Sequence, residues 1–372
     1  MPLLTEDFAV SHWNSTPSGK TRLRGLGVHL PGSPGPFNAI TDVAGVEVGY
    51  TTLISGDGPR VVGQGPVRTG VTAILPRGRD DLQTSCAAGS YSFNGNGEMT
   101  GLIWVEESGE LTTPITITNT HSCGVARDAT VQWIFNHVEK TANDWGLPVA
   151  GETYDGELND INGFHVKAEH VFSALDTARS GPIELGSVGG GTGMLTFDFK
   201  AGSGSASRCV AIGDETYTLG AFVQSNFGRR HEMTVMGKKV GLDMPGGELR
   251  GKPVGSIIAV IATDAPLLPH QLKRLARRVP VGIARTGGIG HNGSGDIFIA
   301  FSTANREAYA GNPSVASMRF ISNNAMDDLF EATAQATEEA ILDSIIANET
   351  MVGADGNTAI GIDHGRLLSL LK

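Results

Sequence analysis

The run Ser256-Ile-Ile-Ala-Val-Ile-Ala262 is continuously apolar after its first residue, and it follows directly on Met244-Pro-Gly-Gly-Glu-Leu-Arg-Gly-Lys-Pro-Val-Gly255, which is polar, rich in Gly and Pro, and without period. A short apolar run without alternation is what a strand shows when both of its faces are buried. The segment before it carries the breakers of an exposed loop. The junction therefore predicts a surface loop feeding a central strand. Downstream, Asp264 can cap a helix that has Pro266 in its first turn and Leu268, Leu272, Leu275 and Val279 on one face. Strands are predicted over Val281–Arg285 and Asp296–Ser302, then a long helix from about Ala325 that buries Phe330, Ala334, Thr337, Ile341 and Ile345. Upstream lie strand-like Cys209–Ile212 and Leu219–Gln224. Before these come helices from Val125 to about Asn143 and from about Phe164 to Ala178, and short strands at Val46–Tyr50, Val71–Leu75, Leu102–Val105 and Ile115–Thr118. Residues 1–36 read as an irregular arm. Strands and helices mixed without regular alternation predict an α+β layered sandwich, not a doubly wound sheet.

Composition sets the outer limits. With 372 residues, 40% hydrophobic and 18% charged, the chain can bury a sizeable core, and its length fits one large domain or two ordinary ones. Gly occurs 51 times, in short clusters without period, which predicts many turns. The net charge of -11 argues against nucleic acid as a partner, because phosphate backbones are bound by concentrated Lys and Arg. Cys86, Cys123 and Cys209 are odd in number, far apart and without metal-ligand spacing, so three buried, reduced cysteines are expected. Neither an apolar leader nor a membrane-spanning stretch is read, so the expected location is the cytoplasm and no membrane partner is expected.

Several familiar signatures fail on context. Gly288-Ile-Gly290-His-Asn-Gly293 fits G-x-G-x-x-G but leads into a strand, whereas a dinucleotide site needs a helix N-terminus for the pyrophosphate. Gly189-Gly-Gly-Thr-Gly193 lacks the Lys of a P-loop. His165 and His170 are five apart, on different faces of a helix, which makes a poor zinc pair. No metal and no organic cofactor is implied.

The Val254-Gly255-Ser256 junction has a chemical reading beside its structural one. A serine hydroxyl is a weak nucleophile and needs a base. Cutting the chain before Ser256 would free an α-amine, with an ordinary pKa of about 7.7–8.0, next to its own hydroxyl. Gly255 removes Cβ bulk and tolerates strained dihedrals at the carbonyl that an N→O acyl shift would use. The same residues also suit an ordinary loop-to-strand turn. Ser294-Gly-Asp296, at a strand start, likewise reads as a turn or strand cap, and Glu152 and Tyr154 read as loop polarity.

Nine segments, taken in order, resemble the DmpA-type aminopeptidases, which comprise the L-aminopeptidase/D-esterase/amidases and the β-peptidyl aminopeptidases. They are Asn38-Ala-Ile-Thr-Asp-Val-Ala-Gly-Val-Glu-Val-Gly49, Phe93-Asn-Gly-Asn-Gly-Glu-Met-Thr-Gly101, Thr118-Asn-Thr-His121, Gly151-Glu-Thr-Tyr-Asp-Gly156, Gly186-Ser-Val-Gly-Gly-Gly-Thr-Gly-Met194, Val223-Gln-Ser-Asn-Phe-Gly228, Val254-Gly-Ser256, Ala262-Thr-Asp-Ala-Pro-Leu-Leu268 and Gly293-Ser-Gly-Asp-Ile-Phe-Ile-Ala-Phe-Ser302. The resemblance runs from about residue 20 to the C-terminus. It implies a single catalytic domain over 1–372, folded as a four-layer αββα sandwich of the DmpA/ornithine acetyltransferase type, like the N-terminal-nucleophile hydrolases. It further implies self-cleavage between Gly255 and Ser256 into an α chain of 1–255 and a β chain of 256–372, and a homotetramer of αβ units. Ser256 would be the nucleophile and its freed amine the base. Ser294 would hydrogen-bond the nucleophile, and Asp296 would orient that network or hold the ammonium. Asn226 would donate its amide to the oxyanion with Tyr154 in support, and Glu152 would pair with the substrate's free amino group. The Gly186–Gly193 run would let backbone approach the pocket. Expected substrates are small peptides, amides and esters with a free amine, and Tyr154 with the overall length leans towards the L-aminopeptidase/D-esterase side. Two other readings compete. The ornithine acetyltransferases use Thr in an Ala-Thr-Met-Leu-type context, which Gly255-Ser256-Ile257 departs from. A non-catalytic binding protein on the same fold would have no need of Ser256, Ser294, Asp296 and Asn226 together.

Overall fold

Successive residues of a strand point to opposite faces, and both faces of the 256–262 run are covered. The computed structural model describes residues 12–138, 144–251, 254–311 and 313–372. Its strands up to residue 302, in chain order, are β1 (Glu47–Ser55), β2 (Val67–Leu75), β3 (Cys86–Gly95), β4 (Glu110–Leu111), β5 (Ile115–Asn119) and β6 (Val149–Thr153), then β7 (Leu195–Thr196), β8 (Phe199–Lys200), β9 (Ser203–Ile212), β10 (Glu215–Asn226), β11 (Val254–Thr263) and β12 (Gly293–Ser302). The main helices are α1 (Leu102–Ser108), α2 (Cys123–His137), α3 (Ala168–Asp176), α4 (Pro269–Ala276), α5 (Val279–Arg285) and α6 (Asp327–Ile346).

Two sheets result. A four-stranded sheet runs β1-β2-β5-β6 and a six-stranded sheet runs β4-β3-β12-β11-β10-β9. Most pairings are antiparallel; β5–β6 and β11–β12 are parallel. Ile258, Val260 and Ala262 pack with Ile74, Ile115, Ile117 and Val149 in a layer between the sheets. Their neighbours Ile257, Ala259 and Ile261 pack on the other side with Leu272 and Leu275 of α4 and with Ile341 and Ile345 of α6. Beyond the four-stranded sheet, Val71, Ala73 and Leu75 meet Trp133 of α2 and Val171 and Leu175 of α3. Three apolar layers alternate with two sheets, which gives the expected αββα order. Each aliphatic side chain fully buried here contributes about 1.5–3 kcal/mol, so neither face of β11 can turn to water without loss.

Helix α6 is buried far beyond one stripe because polar residues of the N-terminal arm and of β9 clamp it. Glu339 accepts hydrogen bonds from Arg24 Nε (2.6 Å), Arg208 Nη2 (2.7 Å) and Asn38 Nδ2 (2.6 Å). Asp343 accepts from Arg22 Nε (2.8 Å) and the Leu23 N–H (2.7 Å). Burial pushes the Glu339 carboxyl up, but the Arg208 and Arg24 guanidiniums outweigh it and hold the group well below the usual carboxylate range. The arm, irregular in sequence, is thus a structural strap.

Four local expectations are corrected. Leu102–Val105 is helical, within α1, where left-handed Gly101 and Gly109 bound a single apolar stretch and only Val105 is buried. Val281–Arg285 also lies in a helix, α5, which opens with Pro in its first turn. There Gly282 lets the helix settle on α6, because a Cβ would fall 2.6 Å from the Thr337 Cβ and 2.7 Å from the Ala334 carbonyl oxygen. Packing overrides the β propensity of Val and Ile. Asp264 caps no helix; its Oδ1 accepts from the Thr218 N–H (2.7 Å), and α4 begins at Pro269, where the Gln271 side chain accepts from the Leu268 N–H (3.0 Å). Cys86 and Cys123 are buried as expected, but Cys209, on the edge strand β9, is exposed. The expected end of the second-layer helix, 139–143, lies outside the described residues, as do 1–11 of the arm and 252–253 of the loop.

Candidate active site

Ser256 stands at the point where the loop becomes a buried strand. In the ladders it is opposite Asn226 of β10 and Gly295 of β12. It shares a strand face with Ile258, so its side chain points into the layer between the sheets, at that layer's open end. Its Oγ donates to the Gly255 carbonyl oxygen at 2.5 Å. Two glycines make room for this arrangement. A Cβ on Gly255 would lie 2.4 Å from the Asn226 carbonyl oxygen and 2.8 Å from Phe227 Cα, and one on Gly295 would lie 2.6 Å from the Asn96 carbonyl oxygen. Gly255 has no left-handed φ, so it is needed for close approach and not for a strained dihedral.

The open end is a cleft of about 900 Å³. Its walls come from the turn after β3 (Asn96, Gly97, Glu98), from Thr120 after β5, from Glu152, Tyr154 and Glu157 at and after the end of β6, and from Leu249, Arg250 and Gly251 of the loop, with Gly255 and Ser256 at one side. The Gln224 side chain joins the sheets beneath it, donating to the Thr118 carbonyl (2.9 Å) and to Thr153 Oγ1 (2.7 Å).

Glu152 is 2% exposed and faces this cleft. Its Oε1 accepts from the Glu98 N–H at 2.9 Å and its Oε2 from the Thr120 hydroxyl. Burial raises its pKa against those two hydrogen bonds, and the neighbouring Glu98 charge raises it further. A carboxylate held this way gains when a cation enters. Tyr154 is half-exposed in the wall; its ring lies over Gly156, where a Cβ would come within 2.2 Å of the phenolic oxygen. Burial, then the Glu157 charge, raises its pKa.

Asn226 is wholly buried behind the wall. Its Nδ2 donates to the Tyr154 carbonyl (2.7 Å), while its Oδ1 accepts from the Leu195 N–H (2.9 Å) and from Arg250 Nη2 (2.6 Å). Ser294 and Asp296 flank Ser256 on the neighbouring strand, since Ser294 pairs with Gly255 and Asp296 with Ile257. Ser294 Oγ donates to Asp296 Oδ1 at 2.6 Å, so in this structure its proton goes to Asp296 and not to Ser256. Burial pushes the Asp296 carboxyl up to about 6, against the Ser294 hydroxyl and the Ile257 N–H that donate to it.

The Gly186–Gly193 run is elsewhere. Gly189 packs on Thr72 and Tyr50, Gly190 on Gln224 and Ile117, and Gly193 on the Arg68 carbonyl, so the run serves sheet packing and not the cleft. Among the described residues, no three His, Cys, Asp or Glu are grouped to hold a metal ion, and no helix is long and apolar enough to cross a membrane. Sequence reasoning missed Arg250, Thr120 and Glu98 as site residues. The last two lie inside segments that carry the family resemblance, 118–121 and 93–101, and that was their available signal.

Two sheets stacked between helix layers, with a serine at the loop end of a central strand and a buried carboxylate lining the same cleft, give the layered architecture of the N-terminal-nucleophile hydrolase class. Comparison with known proteins narrows the class. Residues 38–359 match peptidase family S58, and the chain belongs to that family. It is 51% identical over 366 residues to the beta-peptidyl aminopeptidase BapA of Sphingosinicella microcystinivorans, covering 94% of this chain and 92% of that one. Among solved structures, the L-aminopeptidase D-Ala-esterase/amidase of Ochrobactrum anthropi superposes with a TM-score of 0.87 at 45% identity, covering 94% of this chain and 98% of the other. A beta-aminopeptidase of a Burkholderia species superposes with a TM-score of 0.86, also at 45% identity and the same coverage. The protein is a serine aminopeptidase.

Proposed function

We propose that the chain cuts itself between Gly255 and Ser256, and that the freed Ser256 then removes N-terminal residues from small peptides, amides and esters. One observation carries this reading. Among the described residues, Ser256 is the only serine lining the cleft that Glu152 also lines, and it stands near the start of β11 with its Oγ 2.5 Å from the carbonyl oxygen of the bond to be cut. In the cutting step, Oγ attacks the Gly255 carbonyl carbon, the C–N bond breaks with a proton passing to nitrogen, and water hydrolyses the resulting ester. In turnover, the Ser256 amine takes the hydroxyl proton as Oγ adds to the substrate carbonyl. The leaving amine or alcohol takes that proton, and water releases the acyl group. Asn226 and Tyr154 meet the oxyanion. Asp296, one residue along the ladder from Ser256, holds the new ammonium, with Ser294 fixing the carboxylate.

Two expectations follow from the carboxylates. Glu152→Gln should raise KM for aminoacyl amides by at least tenfold while leaving the melting temperature nearly unchanged, because a desolvated ammonium loses its charged partner. Unchanged KM would assign the amine to another carboxylate. If ionised Asp296 holds the network, kcat should fall as pH drops to where that carboxyl protonates, which lies below the value of about 6 that burial gives it in the uncut chain because the freed ammonium beside it favours the charged form. Asp296→Asn should lower kcat and abolish that limb. A limb that survives in the variant belongs to another group.

The relatives named for β-peptidyl substrates favour testing β-amino acyl amides first, beside L-aminoacyl p-nitroanilides and D-alanine amides. A homotetramer of αβ units in the cytoplasm completes the proposal; light scattering on purified protein tests the tetramer.

A further inference from the structure

We infer that Arg250 is a positioning residue for turnover: from the loop that becomes the C-terminal segment of the α chain, it fixes the side-chain amide of Asn226 so that its N–H, and not its carbonyl, serves the oxyanion. This rests on the reading of Asn226 as an oxyanion donor.

Arg250 comes from a Gly/Pro-rich loop, yet its side chain is only 3% exposed. Its Nε donates to Glu157 Oε1 at 2.9 Å, its Nη1 to the carbonyls of Leu195 (3.2 Å) and Asn226 (3.3 Å), and its Nη2 to Asn226 Oδ1 at 2.6 Å. Its own N–H donates to Asp198 Oδ1 at 3.3 Å. The planar guanidinium thus bridges β6's trailing segment, β7 and the end of β10, a geometry that Lys cannot reproduce.

The consequence for Asn226 is a matter of donors and acceptors. An amide side chain can rotate to exchange its oxygen and nitrogen, and only its partners decide which way it sits. Here Oδ1 faces two groups that can only donate, the Leu195 N–H and the Arg250 guanidinium. Nδ2 faces a group that can only accept, the Tyr154 carbonyl. Tyr154, Arg250 and Ser256 all line the cleft and Asn226 stands opposite Ser256 in the ladder, so what decides the amide's sense at the wall is its partners: Oδ1 is taken up by two donors, while Nδ2 gives one of its two hydrogens to Tyr154. A charged donor on Oδ1 also draws electron density from the amide and strengthens its N–H as a donor. Without Arg250, Oδ1 keeps one donor and the amide can present its oxygen to a developing negative charge.

A double-mutant cycle on matured protein tests this, with Arg250→Met, Arg250→Lys, Asn226→Ala and the two combinations. Each variant is first checked by intact mass for the cut at Ser256, and kcat and KM are then read on one aminoacyl p-nitroanilide. Arg250→Met should lower kcat by about 10²-fold with KM within threefold, as a misplaced catalytic group does, and Arg250→Lys should recover part of the loss. Either Arg250 change added to Asn226→Ala should cost less than threefold more, because the two act as one unit. Losses that multiply in the double variants overturn the proposal, as does an Arg250→Met enzyme with normal kcat. If both single Arg250 variants fail to cut, Arg250 serves maturation and the proposal is likewise overturned. A silent Asn226→Ala, in contrast, sinks the oxyanion reading itself.

Discussion

Ser256→Ala is expected to give a single uncut chain of 372 residues without aminopeptidase activity. Both losses have one cause. The hydroxyl that would attack the Gly255 carbonyl is the one that would later attack substrate, and alanine has nothing to put in its place. Removing the nucleophile of a serine peptidase costs on the order of 10⁶ in kcat, which places the variant at the background of most assays. The fold should survive, because Ser256 makes only a local bond to its own neighbour's carbonyl and the β11 ladder is unaffected. An unchanged melting curve would show this. Two fragments from the alanine variant would mean that another group cuts the chain, and residual turnover near the wild-type rate would remove Ser256 from the chemistry.

The second large effect is at Asn226. Asn226→Ala, made in protein that still matures, should lower kcat by about 10²–10³ with little change in KM, the usual cost of one lost oxyanion donor. The side chain also ties together Leu195, Tyr154 and Arg250, so some loss of stability accompanies the change. Asn226→Asp adds a charge to the test. Its carboxylate keeps the Leu195 and Arg250 partners but sets an acceptor against the Tyr154 carbonyl, and because it faces the reaction with negative charge it should be slower than alanine. Near-normal kcat in matured Asn226→Ala would move the oxyanion donors to backbone amides, with the Asn96–Gly97 turn in the cleft wall as the next place to look.

How much of this was legible depended on the residue. The 257–262 run announces a strand buried on both faces because nothing in it is polar, and the structure covers it on both sides. Leu102–Val105 and Val281–Arg285 mislead because runs of four or five residues carry no period; only flanking glycines at 101 and 109, and the seat of Gly282 on α6, decide for helix. Cys209 was misread because a sequence does not say which strand will be the sheet's edge. Glu152, Tyr154, Asn226 and Ser256, scattered over a hundred residues of sequence, are gathered at one end of the space between the sheets by pairings such as Asn226 with Ser256. Their chemistry was readable only through family resemblance. Arg250 gave no signal at all, since an arginine in a Gly/Pro-rich loop reads as solvated until the carboxylate and carbonyls around it are seen.

Intact-mass spectrometry of purified wild-type protein, with sequencing of the new N-terminus, tests the central claim most directly. Self-maturation predicts two tightly associated chains, residues 1–255 and 256–372, the second beginning Ser-Ile-Ile-Ala, with activity rising as the cut form accumulates. A single uncut chain that hydrolyses aminoacyl amides at full rate would contradict it, because Ser256 would then have no free amine to act as base.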